Sequence, residues 1–288
     1  MAANGSPRNK RSYNSRRMIQ SAIIHAVLLL FVFIALFPIY LMFNAALKTS
    51  RELFQSFLTL PTDPQWQNFG FILNEQGYKG ALYNSLILST SSMILTTVIS
   101  VLAGYGFAVY RFIGKQWLFL LVLTGLMVSE TSVLIPVYQL LQDLGLLNTY
   151  GGMILPQAAL GLTFGVFLMT TFFKDIPRAL IDAAVVDGGS DLQVLRHVIM
   201  PLARPAIMSL ALIEFMWAWN SFFFPLVIAT KQWLMPMSVR IIDFMGRFTF
   251  RYDMIAATTV ILFTPILILY LVTQRSFHRG ITFGALKD

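Results

Sequence analysis

Cysteine is absent from the 288 residues, so no disulfide framework and no thiol chemistry enter the reading. Charge is scarce as well. Asp, Glu, Lys and Arg make up 12% of the chain, about half the share a soluble domain of this length carries. The three histidines, His25, His197 and His278, stand apart; no H-E-x-x-H occurs, and no Ser/His/Asp set can be assembled. A phosphate-cradling G-x-x-x-x-G-K-[ST] is missing too: Gly114-Lys115 is followed by Gln116 and lacks the upstream glycine. Such a chain cannot hold ATP phosphates itself and reads as a non-enzyme that would depend on a separate motor. Neither an internal repeat nor a matched pair of broken helices in two halves is visible, which weighs against a self-contained secondary transporter.

What the chain does have is apolar residues: 57% hydrophobic, with 25 Phe and 14 Met, and a mean hydropathy of +0.69. Residues 1–17 are polar and basic, with Arg8, Lys10, Arg11, Arg16 and Arg17, and read as a disordered tail. The uncharged run from Met18 to Leu47 exceeds the ~20 residues a spanning helix needs and is too long for a signal-peptide core. His25 near its start suits an interfacial or packed position, and Pro38 is expected to kink the far end. Further spans are expected over 80–110, 116–140, 151–173, 206–229 and 254–273, with a polar loop at 48–79. The fold class is therefore all-α, a polytopic membrane protein with six transmembrane helices.

Six spans place both termini on one side. That side, with the 111–115 link and the segment after span four, holds fourteen of the 21 Lys and Arg. The positive-inside rule assigns it to the cytoplasm, and it also explains the net charge of +8 without nucleic acid as a partner.

Two carboxylates fall inside spans, Glu130 and Glu214. A charge at the bilayer centre costs roughly 2.5–3.5 kcal/mol even on the lenient insertion scale, so each should face a cavity or a partner. Trp217 and Asn220 follow Glu214 at i+3 and i+6, with Trp219 nearby. Aromatic faces beside hydrogen-bonding groups suit a sugar, whose C–H surfaces stack and whose hydroxyls pair. Helix-helix glue, or an ion path through Glu130 and Glu214, would use the same residues.

Residues 176–205 carry the strongest local signals. Pro177 suits a first helical turn, and Leu180, Ile181, Ala183 and Ala184 form a small apolar face. Gly188-Gly189 stops that helix, and Ser190 with Gln193 has the capping-box form that starts another, expected to end at Pro201 and Pro205. The result is a helical surface knob. Asp182-Ala183-Ala184-Val185-Val186-Asp187-Gly188, then Val198-Ile199-Met200-Pro201-Leu202, resembles the EAA loop of ABC importer permeases, with Asp182 for the usual glutamate and Met200 for the usual leucine. The resemblance implies that Asp182, Ala183, Ala184, Asp187, Gly188 and Pro201 dock on a cytoplasmic ATPase.

Other stretches are similar to carbohydrate permeases of the maltose type: Trp219-Asn220-Ser221-Phe222-Phe223-Phe224-Pro225-Leu226, the turn Leu144-Gly145-Leu146-Leu147-Asn148-Thr149, and the ending from Gln274 to Lys287. Matches of this kind run from span one to the C-terminus, over 18–288, leaving only the 1–17 tail outside. They imply a sibling permease as heterodimer partner, two cytoplasmic ATPase subunits that carry ATP and Mg, and an extracellular or periplasmic sugar-binding protein. No cofactor is implied on this chain itself. The location implied is a bacterial or archaeal plasma (inner) membrane. In that family the loop between spans five and six reaches toward the binding protein; here it offers Met235, Met237, Ile241, Phe244 and Met245 as adaptable apolar contacts.

Overall fold

A computed structural model describes residues 8–246 and 250–285. In chain order the helices are α1 (Arg8–Ala46), α2 (Ser50–Gln55), α3 (Gln67–Asn74), α4 (Gln76–Val109), α5 (Lys115–Thr124), α6 (Glu130–Asp143) and α7 (Tyr150–Lys174). They continue with α8 (Arg178–Val186), α9 (Asp191–Val194), α10 (Met200–Trp219), α11 (Phe223–Ile228), α12 (Met237–Arg240) and α13 (Tyr252–Ala285). Among the described residues no strand occurs beyond one isolated bridge, Met245 to Phe250. Among the described residues five helical stretches are long and apolar enough to cross a membrane: 20–46, 77–109, 150–174, 191–219 and 252–273. A sixth crossing is available only as the broken pair of α5 and α6, bent by 103°.

Contacts divide the chain into two units, residues up to 68 with 251–260, and 69–250 with 261 onward. In the first, α1 is apolar and exposed from residue 20 to residue 38, the pattern of a helix whose neighbours are lipid or another chain. Its end is tied down by polar groups. Asn44 Nδ2 donates to Phe57 O (3.0 Å), and Asn68 Nδ2 donates to Ala46 O (2.9 Å). The fully buried Lys48 donates to the Ser56 and Thr59 carbonyls. Backbone carbonyls thus satisfy an ammonium that has no carboxylate partner among the described residues.

The second unit is built on α4, α7 and α10. Down one face of α4 run Ser85, Ser89, Ser92, Thr96 and Ser100, all buried, followed by Gly104. Spacings of three and four put them on one stripe, and small residues let helices approach closely where the surroundings are as apolar as the core. The approach is tight: a Cβ at Gly104 would stand 2.6 Å from Met169 Cβ, and one at Gly165 would stand 2.9 Å from Ser100 Cβ. Around this seam Val101, Tyr105, Met169, Phe173, Ile199 and Leu210 close the core toward the knob.

Three expectations are corrected. The span at 116–140 is two helices with a 3-10 turn at 125–127 between them, because Gly125 abuts the Thr163 side chain and Ser129 restarts the chain in extended geometry. Pro201 and Pro205 do not end a helix: a π turn at 195–199 joins α9 to α10, with Met200 N–H donating to Leu195 O. The i→i+4 register is already broken there, so Pro201, second residue of α10, removes little by lacking an N–H. Finally, α1 starts at Arg8, so ten residues read as disordered tail are helical; extending an existing helix avoids the nucleation cost.

Candidate functional site

The knob is built on α8 and its glycine elbow. Gly189 N donates to Ala184 O and Gly188 N to Val185 O, both at 3.0 Å, the paired bonds of a Schellman ending. Gly188 has φ +83°, and a Cβ at Gly189 would lie 2.8 Å from Ala184 O. The two glycines are needed for different reasons, one for its dihedral and one for space. Gln193 Oε1 then accepts from Ser190 N (2.8 Å) and Ser190 Oγ (2.9 Å), so the next helix starts at once.

The knob has an inner and an outer face. Ile181, Val194 and Leu195 are buried against α4 and α7. Asp182, Ala183, Asp187, Gly188 and Pro201 are exposed and Ala184 is half-buried, beside an exposed apolar edge of Leu180, Val185, Val186 and Leu192. Solvated carboxylates next to uncovered apolar side chains suit a protein partner. Beneath α8 a cavity of about 270 Å³ is lined by Tyr105, Phe173, Arg178, Ile181, Asp182 and Asp191, among others. Asp191 accepts a hydrogen bond from Tyr110, which with burial holds that phenol well above its usual range. Tyr110 packs edge-on against Tyr105 of α4 at 5.7 Å, so an aromatic pair braces the start of α9.

The α10 residues separate. Glu214 is 3% exposed and lies against the backbone of Gly161 on α7, with no hydrogen-bond partner for Oε1 among the described residues. One turn on, Trp217 is 47% exposed and meets Phe164 of α7 edge-on at 5.2 Å. Both therefore touch α7 three residues apart on each helix. Trp219 instead points inward, 2% exposed, and its Nε1 donates to Leu262 O at 2.9 Å. Asn220 is exposed and spends Nδ2 on Met216 O (2.8 Å) as the helix ends. Glu130 is the first residue of α6, at the bend, half-buried and without a hydrogen-bond partner for Oε1 among the described residues. It is remote in sequence from the α10 group. Gly161 and Phe164 escaped the sequence reading; the spacing of Gly161 and Gly165 on α7 is the signal that could have pointed to a close approach there.

The turn at 144–149 owes its composition to geometry. Gly145 (φ 67°) and Asn148 (φ 56°) take left-handed conformations, and Thr149 Oγ1 caps α7 by accepting from Gly152 N. Asn148 Oδ1 also accepts from Thr230 Oγ1 and Lys231 N, both at 3.0 Å, tying this turn to the loop after α11. The loop is pinned again where Asn84 Nδ2 donates to Trp233 O (2.8 Å) and Ser85 Oγ accepts from Met237 N (2.8 Å). Met237 and Phe244, expected as outward contacts, are buried; Phe244 stacks on Tyr78 at 5.2 Å, and Arg240 Cζ lies over the same ring at 4.8 Å from its centroid. Trp233, Ile242, Met245 and Phe250 are exposed apolar groups of this loop.

No cluster of three His, Asp or Glu suited to a metal occurs among the described residues. Residues 82–283, most of the chain, match the family described as binding-protein-dependent transport system inner membrane component. The chain belongs to that family. As an inner membrane component of a binding-protein-dependent transport system it is a non-catalytic, multi-pass transport subunit. It is 32% identical over 259 residues to the arabinooligosaccharides transport system permease protein AraQ of Halalkalibacterium halodurans, covering 88% of this chain and 92% of that one. It is 28% identical over 269 residues to the diacetylchitobiose uptake system permease protein NgcG of Streptomyces coelicolor, covering 93% and 89%. A chain of a bacterial ABC transporter involved in the import of the acidic polysaccharide alginate shares the fold, with TM-score 0.77, 24% identity and coverage of 96% and 100%.

Proposed function

We propose that this subunit is the permease of an ATP-driven importer that takes a sugar or oligosaccharide from a binding protein and passes it into the cytoplasm by alternating access. The observation that carries the reading is the knob: the Schellman-ended α8 with its exposed acidic and apolar outer face, followed across the glycine elbow by α9, which is continuous through the π turn with the helix that bears Glu214 and Trp217. The names of the permease relatives, which transport arabinooligosaccharides and diacetylchitobiose, support the sugar class.

In this reading Asp182, Ala183, Ala184, Asp187, Gly188 and Pro201 seat the knob in one of two cytoplasmic ATPase subunits, where ATP and Mg are held. A sibling permease completes the pathway as a heterodimer, and a sugar-binding protein docks outside. Both termini face the cytoplasm and the membrane is the plasma (inner) membrane. Glu214, Trp217 and Asn220, with Glu130 at the bend, line the path: the tryptophan stacks on sugar C–H faces and the polar groups pair with hydroxyls.

The test is reconstitution of the chain with its sibling and ATPases in proteoliposomes, with sugar-loaded binding proteins supplied outside. ATP-dependent uptake stimulated by one loaded binding protein is expected. Uptake driven by a proton or sodium gradient without ATP would sink the proposal.

A further inference from the structure

A second cavity, of about 470 Å³, lies beside the link between α4 and α5, apart from the knob's outer face and the α10 wall. Phe107, Phe112, Lys115, Trp117, Thr170 and Lys174 line it with three others, none of them Asp or Glu. Lys115 Nζ donates to Tyr110 O at 2.7 Å, which leaves two of its three N–H groups unspent. Lys174, Arg178 and Arg111 are close enough to act on Lys115 electrostatically, so four cations share one neighbourhood. Thr170 is 1% exposed, and its Oγ1 has no hydrogen-bond partner among the described residues although it borders the cavity. Lys174 also sits 5.3 Å from the centroid of the Phe119 ring.

The position in the fold selects the ligand. Val109 ends α4, Lys174 ends α7 and Lys115 begins α5, so the cavity stands where three membrane helices meet the water. Trp117 is 76% exposed, and the link's tip, Ile113, is fully exposed between Phe112 and Gly114. Cations beside uncovered aromatic and aliphatic side chains at that level match a phosphate attached to acyl chains, not a soluble anion.

We propose that this cavity binds the headgroup of an anionic phospholipid, with Lys115 and Lys174 on the phosphate, Thr170 Oγ1 donating to it, and Trp117 and Ile113 against the acyl chains. The side that carries most of the basic residues is the one that faces the anionic leaflet, which agrees with that assignment.

The experiment uses the full-length chain, delipidated in neutral detergent and titrated with brominated phosphatidylglycerol or brominated phosphatidylcholine. The Trp117 signal is isolated by difference from Trp117→Phe. Phosphatidylglycerol is expected to quench Trp117 at a concentration roughly thirtyfold lower than phosphatidylcholine, the preference two interfacial lysines supply. Lys115→Gln/Lys174→Gln should erase the preference and Lys115→Arg/Lys174→Arg should keep it; if the glutamine variant fails to fold, the wild-type lipid comparison decides alone. Equal quenching by the two lipids, or an undiminished preference in the glutamine variant, overturns the proposal. Displacement by millimolar inorganic phosphate also overturns it, by assigning the cavity to a soluble phosphate.

Discussion

The carboxylate of Glu214 fills the space that a side chain on Gly161 would need: a Cβ there would stand 2.8 Å from Glu214 Cδ. The acid is therefore held by helix-to-helix fit. Gly161→Ala should displace it and lower the melting temperature of the subunit in detergent. Adding Glu214→Ala vacates the space, so the double variant should recover, with a coupling energy of about 0.5–3 kcal/mol. Additive losses in the cycle would show that the two residues act separately. Glu214→Gln keeps shape and hydrogen bonding, and uptake of a neutral sugar should fall only mildly; abolished uptake would mean that the charge itself is required.

Trp217 and Trp219 should behave differently although only two residues separate them. Trp219→Ala empties a buried site and frees Leu262 O, a loss of about 3–5 kcal/mol, and should block assembly of the complex. Trp217→Ala removes a half-exposed ring and should leave assembly and basal ATP hydrolysis intact while uptake drops strongly. Size-exclusion chromatography beside a transport assay reads both; failed assembly of Trp217→Ala would make that residue packing glue.

The elbow offers a sharper pair. Gly188→Val forces a β-branched residue to positive φ, at a cost of roughly 1–2 kcal/mol. Gly189→Ala keeps an ordinary dihedral but drives a methyl against Ala184 O. Both variants should insert in the membrane yet lose ATPase binding in a pull-down and lose transport. Normal transport by Gly188→Val would remove the knob from the coupling role.

For the loop after α11, exposure decides where a partner can be caught. Cysteine at Trp233 or Met245 should crosslink to a sugar-binding protein during turnover, whereas cysteine at Arg240 should not, since that side chain is 7% exposed and packed over Tyr78. Labelling of Trp233→Cys by lipid probes alone would assign the loop to the headgroup layer.

Much of this architecture could be read in advance where the signal is local. The glycine stop at Gly188-Gly189, the Ser190–Gln193 cap and the apolar runs depend on residues a few positions apart, and each formed as its own chemistry dictates. The failures share a different origin. Hydropathy measures how apolar a stretch is, not where it points, so it could not register the bend before Glu130. Pro201 and Pro205 read as stops in the sequence because the π turn that accommodates the first of them has no composition of its own. Which of Trp217 and Trp219 faces inward, and what receives Glu214, depends on α7 and α13, whose relevant residues lie far away in the chain.

The join between α9 and α10 has a mechanical meaning. From Asp191 to Trp219 the chain is one rod, roughly 43 Å long at 1.5 Å per residue, whose near end is the knob and whose far end holds Glu214 and Trp217. A rod does not shorten under load. Displacement at the near end is carried to the far end as translation or as tilt, with the wide turn at 195–199 and Pro205 as the points where the two ends can differ in angle.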